Sequence, residues 1–98
     1  MALYRCGSSG GTTDFDTIFN GLPSQQTKTH TVNVGDILIV VSTNAHGNLT
    51  QSISGATVLE TNNSGRGVIT LCKATSSTLK VTQSDYQGYS NQIVIRLK

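Results

Sequence analysis

Few side chains in this sequence could do chemistry, and their spacing fits no familiar catalytic or metal-binding pattern. The histidines are His30 and His46, the acids are Asp14, Asp16, Asp36, Glu60 and Asp85, and the cysteines are Cys6 and Cys72. A zinc protease helix needs HExxH, a close thiol pair needs CxxC, and a phosphate cradle needs GxxxxGK[ST]; none of these is present, nor is an EF-hand loop or a GxGxxG turn. His30 follows Lys28 and Thr29 in an alternating run and is expected as a partly exposed strand residue without a second histidine at ligand spacing. His46 lies between Ala45 and Gly47 and is expected as a solvated loop side chain. Cys72 sits inside the apolar run VITLCKA, which suits a buried thiol better than a nucleophile paired with histidine. A carboxylate dyad would require two distant acids to be brought together by the fold. The expectation is a non-enzymatic chain with no catalytic residues, no metal site and no cofactor.

Three features suit binding. Tyr86 and Tyr89 flank Gly88 in one loop-like stretch, where aromatic faces can cover the CH patches of a sugar ring while the hydroxyls hydrogen-bond. The plainer reading is that one tyrosine plugs the end of a sandwich. Arg66 stands between Gly65 and Gly67 in the polar stretch from Asn62, an exposed cation that ordinary hairpin chemistry also explains. Leu3-Tyr4-Arg5-Cys6 could add a strand to a neighbouring sheet edge across the Gly7–Gly11 hinge, with a loose tail as the alternative.

The elements that must carry these residues read as strands. Eleven serines and fourteen threonines, ten glycines and 12% charged residues among 98 favour strands and tight turns over helices. The formal charge of +2, spread along the chain, lacks the dense basic face that nucleic-acid binding requires. A chain of this length suits one domain that buries only about two-thirds of its unfolded surface, so sharing core surface in an oligomer would help. Two cysteines are no disulfide framework, although a Cys6–Cys72 bridge stays open if the two approach. Met1–Cys6 is too short and polar for a secretory signal, and no apolar run reaches membrane-spanning length.

Residues 1–13 read as a flexible arm and 14–98 as the folded domain. Phe15, Ile18, Phe19 and Leu22 fall at i, i+3, i+4 and i+7, which predicts a short helical turn capped by Asp14 and stopped by Gly21 and Pro23. About seven short strands follow, with breaks at Gly35-Asp36, Ser54-Gly55, Asn62–Gly67 and Thr75–Ser77. The pattern predicts an all-β, single-domain antiparallel sandwich, jelly-roll or immunoglobulin-like. In the longest apolar run, Ile37, Ile39 and Val41 share one face and Leu38 and Val40 the other. A sheet with one wet face would not need both. Leu38 and Val40 are therefore expected under a cover, either the Phe15–Leu22 segment or another subunit. This makes them, with Leu3 and Tyr4, candidate interface residues.

The stretches Val32-Asn33-Val34-Gly35-Asp36-Ile37-Leu38-Ile39-Val40, Ile53-Ser54-Gly55-Ala56-Thr57-Val58-Leu59 and Cys72-Lys73-Ala74-Thr75-Ser76-Ser77-Thr78 resemble small β-sandwich proteins of tailed bacteriophages, the tail-associated, receptor-binding and head-decoration modules. The resemblance runs from about Thr27 to Lys98. It lacks the metal-binding repeats of fibre tips and the heptads of fibre shafts. It implies a virion part made in the host cytoplasm, with other virion proteins and copies of itself as partners, and with a host surface glycan as the alternative ligand.

Overall fold

The computed structural model describes residues 14–98. Eight strands form there: β1 (Phe15–Gly21), β2 (Thr27–Thr31), β3 (Ile37–Asn44), β4 (Gln51–Ser54), β5 (Ala56–Asn63), β6 (Gly67–Ala74), β7 (Thr78–Gln83) and β8 (Ser90–Leu97). They make two antiparallel sheets, ordered β1-β8-β3-β6-β5 and β2-β7-β4. The all-β sandwich expected from the alternation is what forms. Among the described residues only β5 and β6 are neighbours both in sequence and in the sheet; every other connection passes from one sheet to the other. The pairs β1–β8, β2–β7 and β3–β6 nest like one long hairpin folded over itself, the wrapped connectivity of a jelly roll. An immunoglobulin sandwich would instead pair strands one and two, and its sixth and seventh.

The expected helical turn at Phe15–Leu22 is corrected to an edge strand. Phe15 pairs with Leu97 and Thr17 with Ile95, but Phe19 pairs with Val94, so Ile18 is an extra residue. This bulge lets Ile18 and Phe19 both pack on the core while Phe15 points away from it. The helix-like spacing is the shadow of the bulge, and an isolated turn this short has little stability to set against pairing with β8. The added strand makes the total eight rather than seven.

Two glycines fix the corners. Gly35, at φ 95°, takes the third position of a turn closed by the Asp36 N–H donating to the Asn33 carbonyl at 3.0 Å, a type II arrangement that only a left-handed residue fits. The Asp36 carboxylate also accepts the Asn33 N–H at 2.9 Å. Val34 is exposed at the turn's tip. Gly55, at φ 87°, carries the chain from the small sheet to the large one, and a Cβ there would fall on the Thr78 carbonyl oxygen.

Between the sheets lies an apolar cluster of Val32, Leu38, Val40, Cys72, Ala74, Leu79, Val81 and Val94. Leu38 and Val40 are fully buried in this cluster, with Leu79 and Val81 of β7, Ile53 of β4 and Val32 just after β2. Their main cover is the second sheet of the same chain, with Ile18 and Phe19 of the Phe15–Leu22 segment packed against the same cluster, so no other subunit is needed to bury them. Burial raises the pKa of the Cys72 thiol and keeps it protonated. Cys6, Leu3 and Tyr4 lie outside the described residues, so the bridge and the arm's role fall outside them too.

Candidate functional site

The side of the five-stranded sheet that faces away from the small sheet is apolar. Cross-strand register places Phe15, Leu97 and Ile37 in one row, Ile95, Ile39 and Leu71 in the next, and Ile93, Val41 and Ile69 in the third. All nine side chains stand on the outer side, because their strand neighbours alternate with them into the buried interior. Phe15, Ile69 and Leu97 are 47%, 50% and 40% exposed, and the other six are half-buried by one another. Scattered exposed apolar residues are ordinary, whereas this block is contiguous across four strands. Thr17, Asn20, Thr43, Asn62 and Asn91 border it, and Lys73 and Glu60 supply charge only on the β5 side.

The interior explains why this side is left outward. Each strand of the small sheet sends one polar side chain across to the large one. His30 on β2 meets the Gln92 amide on β8 at 2.6 Å, and Gln92 donates to Gln83 on β7 at 2.8 Å. Gln83 in turn donates to the Asp85 carbonyl at 2.9 Å. A backbone carbonyl can only accept, so it orients every link: Gln83 turns its oxygen to Gln92, Gln92 turns its oxygen to His30, and His30 must be the Nε2–H tautomer. From β4, Gln51 donates to Ser42 at 2.8 Å and accepts from Thr70 at 2.5 Å. With their partners supplied, these buried polar groups escape the desolvation penalty of an unpaired group.

The expected exposure of His30 is therefore corrected: it is buried, 5.3 Å from the Phe19 ring. Burial is the main cause of its lowered pKa; the hydrogen bond to Gln92 opposes the shift and nearby Lys28 adds to it. Lys28 itself lies 4.7 Å over the Phe19 ring.

The residues expected to bind a ligand gather at one end of the sandwich. Ala45 ties them together: its N–H donates to the Tyr89 carbonyl at 3.2 Å, and its carbonyl accepts from the Arg66 guanidinium at 3.3 Å. Tyr89 is 67% exposed, and the His46 ring packs on it with centroids 4.0 Å apart. Tyr86 is half-buried, and its carbonyl accepts the Ser24 N–H at 3.1 Å. Beneath them Asp85 accepts from Ser90, Asn44 and the Gln87 N–H, and these bonds, with Ser90 first, hold its pKa below the usual carboxylate range. Asp85 thereby closes its own loop between β7 and β8 and fastens it to the end of β3. At the opposite end Arg96 bridges Asp16 at 2.8 Å and Asp36 at 3.4 Å, and Lys98 reaches Asp16 at 3.1 Å. Hydrogen bonds from Arg96 and then Lys98 lower the Asp16 pKa.

Sequence reasoning found the loop residues but not the outer face. Ile93, Ile95 and Leu97 alternate along β8 and so share one side of it; that this side points away from the core depends on which side the small sheet covers. The chain matches no protein-family model, no curated protein and no solved structure.

Proposed function

We propose that this chain is a non-enzymatic assembly module that acts through protein–protein contacts, as a structural or adhesive part of a bacteriophage particle. The observation that carries the contact reading is the outer face: nine aliphatic and aromatic side chains in register across four strands, bordered mostly by threonine and asparagine. Covering such a face removes apolar area from water at little polar cost. The virion part of the reading is supported by the resemblance carried by the Val32–Val40, Ile53–Leu59 and Cys72–Thr78 stretches. Jelly-roll connectivity is used by viral capsid domains and by lectins alike, so that analogy favours neither structure nor adhesion.

Surface plasmon resonance against the particle proteins encoded beside this gene tests it. The expected result is binding by the parent chain that Ile39→Lys abolishes while circular dichroism stays unchanged. No binding by the parent, or full binding by a folded Ile39→Lys variant, counts against the reading.

A second reading places a glycan at the loop end. The exposed Tyr89 ring, packed by His46 at the loop end where Ala45 also holds the Arg66 guanidinium, is the observation that favours it. A glycan array with Tyr89→Ala and Tyr86→Ala decides it. Binding lost in the Tyr89 variant and kept in the Tyr86 variant is expected; a parent chain that binds no glycan removes it.

A further inference from the structure

We propose that the outer face of the five-stranded sheet is covered by the same face of a second copy of this chain. The inference rests on reading that face as a contact surface and goes on to name its occupant.

The composition of the face selects the partner. Contacts that form and dissolve between different proteins draw on arginine, tyrosine and tryptophan anchors and on opposed charges, whereas permanent contacts between identical chains are more apolar. The three rows offer isoleucine, leucine, valine and one phenylalanine, with no arginine, tyrosine or tryptophan. Symmetry adds a second argument. Across a two-fold axis a residue near the axis meets its own copy, so a charge there meets its like. The outward positions of β3 and β8, at the middle of the patch, are Ile37, Ile39, Val41 and Thr43, and Asn91, Ile93, Ile95 and Leu97, all uncharged. Lys73 pairs with Ile37 and Glu60 with Leu71, both toward β5, so a two-fold running along β3 swaps β6 with β8 and β5 with β1 and brings neither onto its own copy.

The area is that of the whole face, apolar block and polar border together. Five strands spaced about 4.8 Å apart and about eight residues long at about 3.3 Å each span roughly 600 Å² in projection, of which the three apolar rows on four strands take rather more than half. The accessible area of a pleated, side-chain-covered face exceeds its projection, which brings it near the roughly 800 Å² per partner of a standard interface. The stacking of two sheets about 10 Å apart is also the ordinary way to bury a sheet face. The chain gains from it, because its own interior is apolar only in part: Ser42, Thr70, Gln83, Gln92 and His30 share the space between its sheets. A face-to-face pair would hold a second apolar layer that a single chain of this size lacks.

Sedimentation equilibrium of the full chain, with circular dichroism of each variant, is the test. The expected result is twice the 10.4 kDa chain mass for the parent and the single-chain mass for Ile39→Lys, with unchanged strand signal. Ile39→Thr, which keeps a β-branched strand residue, is expected to weaken association about tenfold or more. A parent monomer at high micromolar concentration overturns the proposal, as does a folded Ile39→Lys variant that stays dimeric through another surface. In the monomer case, methyl NMR with a soluble paramagnetic agent separates the two failures. Broadened Ile37, Ile39 and Ile95 methyls mean an open face, so that the contact reading stands and the second copy does not. Protected methyls mean the chain covers its own face, and both fall.

Discussion

Both faces of the five-stranded sheet are apolar, and β8 reverses the usual arrangement. Its buried side carries Ser90, Gln92, Val94 and Arg96, while its outer side carries Asn91, Ile93, Ile95 and Leu97. Hydropathy alone would turn that strand over. A slip by one residue would do so, since neighbouring side chains alternate between faces. The register is held from both sides. Leu38 and Val40 on β3 and Cys72 on β6 keep the inner face against the small sheet, and Gln92 is tied to His30 and Gln83. The comparison teaches that a polar side chain goes inside when its hydrogen bonds are met there. An apolar one stays outside when the inside is already full.

Adjacent residues on β3 give the sharpest and largest break of this comparison. Leu38 is fully buried, and Leu38→Ala should cost about 2–5 kcal/mol from lost transfer energy plus the cavity left behind. Ile39 is its outward neighbour, and Ile39→Ala should cost a single chain far less. Urea unfolding at low protein concentration measures both. Equal losses would mean the outer face is as buried as the inner one within one chain.

The polar relay comes next in size. Gln92→Leu fills the space but leaves the His30 N–H and the Gln83 oxygen unpaired, at about 1–3 kcal/mol for each group. Replacing His30 and Gln83 by leucine as well should recover part of that loss, because a buried polar group costs most when it lacks its partner. The relay also sets a pH response. The folded-state pKa of His30 lies below its unfolded value, so the unfolded chain binds the proton first as pH falls. Stability is full above about pH 6.5 and declines below it, until pH reaches the lowered folded value. Asp16 and Asp85 are also lowered, but their contribution is present above the unfolded carboxylate value and disappears only below about pH 4. Urea midpoints between pH 7.5 and 5 should therefore fall for the parent and stay nearly flat for His30→Gln. A matching slope in that variant would remove His30 as its source.

What could be read from the sequence divides along the same line. Alternation in Ile37–Val41 reveals a strand, and glycine with aspartate at 35–36 reveals a corner, because both are local effects. Tyr86, Tyr89 and Arg66 stood out as turn-borne side chains for the same reason. The β1 bulge was hidden because one inserted residue gives a strand the spacing of a helix. His30 was misjudged because its cover, Gln92, is 62 residues away. The role of Leu38 and Val40 was misplaced because the nested order puts β2, β7 and β4 over them, a long-range fact that no local pattern encodes.

The smallest effect on a single chain is the most telling about the outer face. Ile95 stands in the middle row beside Ile39, half-buried by its neighbours. Ile95→Thr keeps the β-branch and should shift the stability of the isolated chain by no more than about 1 kcal/mol. If two copies cover this face, however, association stabilises the folded state by mass action, and the parent's midpoint rises with protein concentration. The variant should lose that rise while matching the parent at the lowest concentrations, where both are single chains. Thermal unfolding across a hundredfold dilution series measures it. A parent midpoint independent of concentration would leave the inner face as the only one that holds this chain together.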